Sequence, residues 1–398
     1  MMGRRYGGDA VCYDVVKGEI MDFNLRPAIV IWEVTQACQL ACVHCRAEAR
    51  PGRDAGELSS EEGFALVDQV AGAGAPLMVL TGGDPMERPD IAAFVRRGVE
   101  RGLRVGLSPS ATPKVTPQSL RELKAAGLHR LALSLDSHLE HKHDAFRRVP
   151  GSFRRTMEIA RDVRDIGIPL QIGTTISALN ASELEPMAEI VGRLGAVLWS
   201  VFFIVPTGRA NPALMISAEV CEKALYQLHD IARVAPFAVK TTEAPHYRRV
   251  VAERTGQKPA SGVNDGKGFV FVSHWGDVFP SGFLPVKAGN VRERPLGDIY
   301  RGSPLFKALR DPGRLNGRCG ICEFRTFCGG SRARAHAVSG DPLGEDPLCS
   351  YVPEAPCVAE AGRSTQSSPP QRPPRPPSAT HPPHPEAPTT PPPAVRAE

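Results

Sequence analysis

Short apolar runs alternate with amphipathic stretches over most of the chain. Apolar runs bounded by turn residues predict strands at Ala28–Val34, Leu77–Leu80, Arg104–Leu107, Arg130–Leu135, Leu170–Thr175 and Leu198–Val205. Apolar residues at helical spacing between them predict helices over Ser59–Ala73, Asp90–Arg101, Thr116–Ala126, Ser152–Ile166 and Ala181–Leu194. Ser59 with Glu62, and Ser182 with Glu185, have the spacing of a capping box and mark two helix starts. Strands and helices in strict alternation predict an α/β fold, a parallel sheet with its helices outside.

Breakers and composition divide the chain. Residues 1–27 form an irregular lead-in punctuated by Gly7, Gly8 and Pro27. The alternating pattern occupies residues 28–235, and a bridging helix over Ala218–Val234 separates it from the C-terminal part. Residues 236–360 turn Gly-rich and β-like from Gly262, with a run at Gly268–Ser273, and carry a second group of cysteines. Residues 361–398 cannot build a core: 13 of the chain's 38 prolines fall within 369–393 and large apolar side chains almost vanish, so a disordered tail is expected. A partner could dock on it as polyproline, but the composition favours a solvated tail.

The chain has 398 residues, 42% of them hydrophobic, enough for a large core, and its net charge of +5 is mild. With no Lys/Arg block and no basic-aromatic interleave, nucleic acid is not an expected partner. No apolar run is long enough to cross a membrane, and Met1–Asp22 lacks the apolar core of a signal peptide, so Arg4 and Arg5 read as surface charge. The ten cysteines are then thiols of a cytoplasmic protein, kept for metal.

Three of them, Cys38, Cys42 and Cys45, follow the first strand as Cys-x3-Cys-x2-Cys. Three thiolates can hold three irons of a 4Fe-4S cubane and leave the fourth open for chemistry. A zinc knuckle is the alternative, with only His44 nearby as a fourth ligand. At this loop the chain resembles the radical S-adenosylmethionine (SAM) enzymes, although His44 stands where that superfamily usually has an aromatic residue. The resemblance implies that the open iron chelates SAM and that one electron, delivered by a flavodoxin- or ferredoxin-type donor, cleaves it to a 5'-deoxyadenosyl radical. It also implies a partial (β/α)6 TIM-like barrel, with the cysteine loop on the C-terminal face where barrel enzymes work.

Cys319-x2-Cys322-x5-Cys328, followed by Cys349, supplies four more thiolates. They could fully ligate a second, auxiliary 4Fe-4S cluster or a structural zinc. The arrangement resembles the SPASM extension of many radical SAM enzymes, a small C-terminal iron-sulfur domain, with Arg332 and Ser281 where fuller versions have further cysteines. Cys12, Cys221 and Cys357 have no partner pattern, and Cys357 is a conceivable substitute for Cys349.

Thr81-Gly82-Gly83-Asp84-Pro85 after the second strand resembles the superfamily's Gly-Gly-Glu motif, which contacts the SAM amino group, with Asp84 in the Glu position. By the same resemblance, Ser134 and Asp136 reach the SAM ribose or carboxylate, Arg147 contacts the carboxylate, and Thr174, Thr175 and Asn180 line the nucleoside pocket. Each is equally suited to a turn or a helix cap.

Trp32-Glu33-Val34-Thr35, Val205-Pro206-Thr207-Gly208-Arg209 and Cys328-Gly329-Gly330-Ser331-Arg332-Ala333-Arg334-Ala335 with Asp341 are similar to the haem and haem d1 biosynthesis branch, whose members alter acetate or propionate side chains of tetrapyrroles. Arginine pairs bidentately with carboxylate, so Arg209, Arg248, Arg249 and Arg292 become candidate forks, and His246 or Tyr247 a candidate proton donor. A SPASM-type maturase acting on a ribosomally made peptide is the alternative enzyme. An iron-sulfur electron carrier is the alternative of another class, and it gains nothing from an open iron.

Overall fold

A computed structural model describes residues 21–354 in full and, ahead of them, the backbone of a short antiparallel pair, β1 (Val15–Val16) and β2 (Glu19–Ile20). The proline-rich tail, Cys12 and Cys357 lie outside the described residues. The further strands are β3 (Ile29–Glu33), β4 (Leu77–Thr81), β5 (Arg104–Leu107), β6 (Arg130–Ser134), β7 (Leu170–Ile176), β8 (Leu198–Phe203), β9 (Ala238–Thr242), β10 (Phe269–Val272), β11 (Asp277–Phe279) and β12 (Gly289–Asn290). The helices are α1 (Ser60–Gly72), α2 (Ile91–Glu100), α3 (Pro117–Ala125), α4 (Glu140–Arg147), α5 (Ser152–Ile166), α6 (Leu184–Arg193), α7 (Ala218–Val234), α8 (His246–Thr255), α9 (Leu296–Gly302), α10 (Pro304–Arg310), α11 (Gly317–Ile321) and α12 (Arg332–Ser339).

One sheet organises the chain. Its order is β12-β11-β10-β3-β4-β5-β6-β7-β8-β9, and every pair from β10 to β9 is parallel. From β3 to β9 the spatial order repeats the chain order, with at least one helix in each crossover, as in a barrel wall. Ile31, Val79, Gly106, Ala132, Gln171 and Phe202, from six different strands, border a single cavity. That is possible only if the sheet curls around it. β9 and β12 do not pair, so the barrel stays partial.

The alternation of side chains along each strand sorts the two faces. Val30, Trp32, Met78, Leu80, Leu133 and Val201 point outward and are almost wholly buried beneath the helices. The main core therefore lies between sheet and helices, each such side chain contributing about 1.5–3 kcal/mol by leaving water. The inward positions are mixed, with polar and charged side chains such as Arg130, Gln171 and Lys240 among apolar ones such as Ile31 and Val79.

The expected strands and helices of residues 28–205 are present, with ends that differ by up to three residues. Ser59 and Glu62 form the capping box of α1. Ser182 does not cap α6, which starts after Glu183 with no side-chain cap; the Glu183 carboxylate is taken instead by Ser137, His138 and Lys142. The boundary expected between residues 235 and 236 falls just before β9, and the sheet continues across it, with β9 at one edge and β10 beside β3.

Buried arginine locks the C-terminal segment under the barrel's end. Arg334 on α12 is fully buried and donates to the carbonyls of Phe203, Ile204 and Glu243 while pairing with the Asp346 carboxylate at 3.0 Å. Against the penalty of burial, Arg334 and then His246 hold Asp346 well below the usual carboxylate range. Removing one partner of such a pair leaves a buried charge unpaired, so Arg334→Leu should cost about 3–5 kcal/mol in a urea denaturation at pH 7. The Asp346 contribution is fully present above the unfolded carboxylate value of about 3.9 and is lost as pH falls toward the lower folded value. In the variant, Asp346 takes up its proton at higher pH than in the wild type, so the deficit should shrink as the denaturation is repeated in acid.

Candidate active site

Cys38, Cys42 and Cys45 sit in the segment from Thr35 to Arg50, which leaves the C-terminal end of β3 without forming helix or strand. Backbone bonds close it, Cys38 N–H to Arg50 O at 2.8 Å and Arg50 N–H to Gln36 O at 3.2 Å. All three thiols are free and border one cavity of about 240 Å³. Cys38 Sγ accepts the Leu40 N–H at 3.3 Å and lies 3.4 Å from the Ser110 hydroxyl, and Cys42 Sγ accepts from Arg147 Nη1 at 3.6 Å. Burial pushes the Cys38 thiol up to about 11, so a metal that binds it displaces a proton.

Arg209 braces this loop from below. Its N–H donates to Cys45 O at 3.0 Å, its Nε to Cys42 O at 3.1 Å and its Nη1 to Ala49 O at 3.1 Å. Gly208 reaches that position at φ +58, where a Cβ would stand 2.5 Å from Arg46 O. The Pro206 to Arg209 motif is thus a support for the cysteine loop, and Arg209 is a positioning residue before it is a fork for any substrate carboxylate.

Gly82 and Gly83 border the cavity and press against the same loop. A Cβ on Gly82 would lie 2.7 Å from Thr35 O, and one on Gly83 2.4 Å from Ala37 O. Asp84 turns away from the cavity and is fully buried, its carboxylate accepting from Met86 N, Ser110 N and Thr112 Oγ1. Burial raises its carboxyl above the ordinary range. With these donors taken up inside the fold, Asp84 ties the loop after β4 to the loop after β5, and the expected contact with a SAM amino group has no exposed carboxylate to make it.

Of the polar residues on the next strands, Ser134 and Thr175 face the cavity. Thr174 faces outward, as period two demands, and is buried between Leu135 O and Trp199 Nε1. Asn180 is buried too, bonded to the carbonyls of Asp136 and Thr175. Asp136 pairs with Arg147 Nη2 at 2.5 Å, and Arg147 borders the cavity. Against burial, Arg147 holds Asp136 low. Thr174, Asn180 and Asp136 stand behind Ser134, Thr175 and Arg147 and shape that wall.

His44 lies in the cavity wall, stacked on Phe146 with ring centroids 4.2 Å apart. Burial, then Arg147, pushes it down to about 3, so it presents a neutral flat ring where an aromatic residue is usual.

Two buried donors in this wall, Arg147 Nε and Arg209 Nη2, have no hydrogen-bond partner among the described residues. Three convergent thiols beside two orphaned guanidinium donors fit a cluster that carries a carboxylate-bearing ligand. A family model for the radical SAM superfamily matches residues 32–191. Over 340 residues the chain is 40% identical to the AdoMet-dependent heme synthase of Methanosarcina barkeri, covering 82% of this chain and 97% of that protein. The chain belongs to the radical SAM superfamily.

A pre-heme d1 synthase of Dinoroseobacter shibae is 26% identical, with 85% of this chain and 88% of that protein covered. In fold, the protein is similar to Streptococcus suis SuiB bound to S-adenosylmethionine, with a TM-score of 0.67, 16% identity and coverage of 82% and 78%. This radical SAM enzyme would hold its cluster on Cys38, Cys42 and Cys45. When bound, cluster and SAM supply a 5'-deoxyadenosyl radical.

The other four thiols, Cys319, Cys322, Cys328 and Cys349, also border one small cavity. Arg332, at the position of a further cysteine in fuller SPASM segments, is buried and donates to Gly344 O and to Cys319 Sγ. His246 lies here, 3.2 Å from Asp346, and not beside the first three thiols. Tyr247 is packed in the main core. Arg249 pairs with Glu222 and Glu253, Arg248 donates to the carbonyls of Phe327 and Val263, and Arg292 pairs with Glu62 of the α1 cap. None of these five borders the cysteine-loop cavity.

Besides Arg147 and Arg209, a third arginine borders that cavity, and the motifs do not single it out. Arg46, directly after Cys45, points into the barrel, held by Glu33 at 2.8 Å and lying over Phe271 at 4.3 Å. Glu33 in turn accepts from or pairs with His274 at 2.7 Å. A charged residue ending an otherwise apolar strand was the available signal.

Gly83→Ala drives a methyl into two loop carbonyls, and cannot be accommodated without moving Cys38. Reconstituted under anaerobic conditions, that variant should carry less than half the wild-type iron on the first site while its far-ultraviolet circular dichroism is unchanged. Cys38, Cys42 and Cys45 replaced together by Ala should abolish 5'-deoxyadenosine formation and leave the fold intact.

Proposed function

We propose that this enzyme remodels a carboxylate-bearing side chain of a tetrapyrrole, in the manner of its heme synthase relatives. The observation that carries the reading is Arg46: a guanidinium held by Glu33 against an aromatic wall, beside the three thiols, which suits a flat aromatic substrate bearing a carboxylate. The near full-length similarity to a heme synthase supports it. In this reading Arg46 holds the reacting side chain under the cysteine loop, Ser134 and Thr175 line the SAM side of the cavity, and Arg147 and Arg209 offer their unpaired donors to the SAM carboxylate.

Cys319, Cys322, Cys328 and Cys349 are read as ligands of an auxiliary 4Fe-4S cluster in a SPASM-like segment, and a flavodoxin- or ferredoxin-type protein as the electron donor. The free thiols suit a reducing compartment such as the cytoplasm; among the described residues no helix is long and apolar enough to cross a membrane.

Two clusters imply about eight irons and eight sulfides per chain after anaerobic reconstitution. Full activity with half that iron plus one zinc would overturn the auxiliary assignment. For the substrate, siroheme-derived and coproporphyrin-type ligands are titrated by Soret absorbance, and turnover is followed by mass spectrometry. Binding, with mass loss from a carboxylate side chain, is the expected result, and Arg46→Ala should weaken binding by about 1.5–3 kcal/mol. No binding by any tetrapyrrole, with SAM cleavage stimulated by a peptide encoded nearby, would transfer the assignment to peptide modification.

A further inference from the structure

The cavity under the thiols does not end at Arg46. Arg46, Thr81, Ala132, Gln171, Phe202 and Phe283 border it and also border a second chamber of about 210 Å³, deeper in the barrel. This lower chamber ends where the strands begin: Ile29, Leu77, Arg104, Arg130 and Phe269 are the first residues of β3, β4, β5, β6 and β10. Arg104 and His129 are exposed, so the barrel's lower end reaches solvent there.

Its two walls differ in chemistry. Ile29, Leu77, Phe269, Phe271 and Phe283 form an apolar, largely aromatic side, while Arg104, Arg130 and Lys240 come from β5, β6 and β9. The charges act together: burial, then Arg130 and Arg104, lower the pKa of His129 beside them. The one acid among the chamber's wall residues is Glu243, held at φ +57. Burial, and then the neighbouring Asp265 carboxyl, raise its pKa well above the ordinary carboxylate range.

We propose that Arg104, Arg130 and Lys240 form a second carboxylate subsite, which holds the acidic side chains of the substrate remote from the reacting one. The proposal rests on the tetrapyrrole reading and deepens it. The four steps from Ile29 to Glu33, at about 3.3 Å each, separate the lower mouth from the cysteine-loop end by about 13 Å. A small acid cannot engage Arg46 and the mouth at once. A broad aromatic macrocycle with several carboxylates can, with its edge along the apolar side of the chamber. Binding at both ends fixes which side chain lies under the thiols, so the lower subsite sets regioselectivity as well as affinity.

The test is a Soret titration of the reconstituted enzyme with coproporphyrin III and with its tetramethyl ester, in the wild type, Arg104→Ala, Arg104→Glu and Arg104→Ala/Arg130→Ala. Iron content and substrate-free SAM cleavage serve as controls for the fold and the first site. The proposal expects wild-type preference for the free acid, a loss of about tenfold in Arg104→Ala, a larger loss in Arg104→Glu and in the double variant, and no change for the ester. Arg104 is exposed at the mouth, so the single variants report even where the double one fails to fold. Wild-type binding of coproporphyrin that all variants retain would overturn the subsite and leave the tetrapyrrole reading standing. No porphyrin binding by the wild type would overturn both.

Discussion

A loop without helix or strand carries the three thiols, so its shape has to be imposed from outside. Backbone groups do most of this. Gly82 and Gly83 lie close enough to the Thr35 and Ala37 carbonyls that no side chain fits between, and Arg209 fills the carbonyls of Cys42 and Ala49 from the opposite side. Buried backbone groups must find partners, and here each partner comes from a different barrel strand's loop. The cysteine loop is therefore shaped by the curl of the sheet: β4 is the neighbour of β3, while β8, which leads to Arg209, lies five strands away in the sheet order and meets the loop only because the sheet curls round.

The barrel divides its labour by face. Outward side chains supply the core, in which Trp32 and Trp199 are wholly buried, and buried charges enter from loops and helices at the strand ends. Those charges are compensated individually. Arg46 has Glu33 and Phe271, Arg147 has Asp136 and the Cys42 sulfur, and Arg334 has Asp346 and three carbonyls. Burial moves two other groups toward their neutral forms: it lowers the pKa of His44 to about 3 and raises that of Glu243 well above the ordinary carboxylate range. The interior is left with a cationic bias that matches an anionic substrate.

Much of this was legible locally. Period and capping place β3 to β8 and α1, because both depend on residues a few positions apart. The cysteine spacing names the cofactor class for the same reason, since three ligands of one loop must be neighbours in space. Residue type alone does not say that the Asp84 and Asn180 side chains bond within the fold, to Thr112 and to the Asp136 carbonyl. Thr174 and Thr175 differ only in which way β7 turns them.

By itself, then, the sequence determined the alternation of strands and helices, the thiol sets and the family, all written in short-range pattern. Only the tertiary structure decided which arginines face the barrel. Arg46, Arg104 and Arg209 do, while Arg249 is held by Glu222 of α7 as well as by Glu253 on its own helix, and Arg292 by Glu62, 230 residues away. Nothing in an arginine's neighbours specifies that difference. It depends on which carboxylates and carbonyls the strand order brings within about 3 Å of the guanidinium, and those contacts exist only once the sheet has curled.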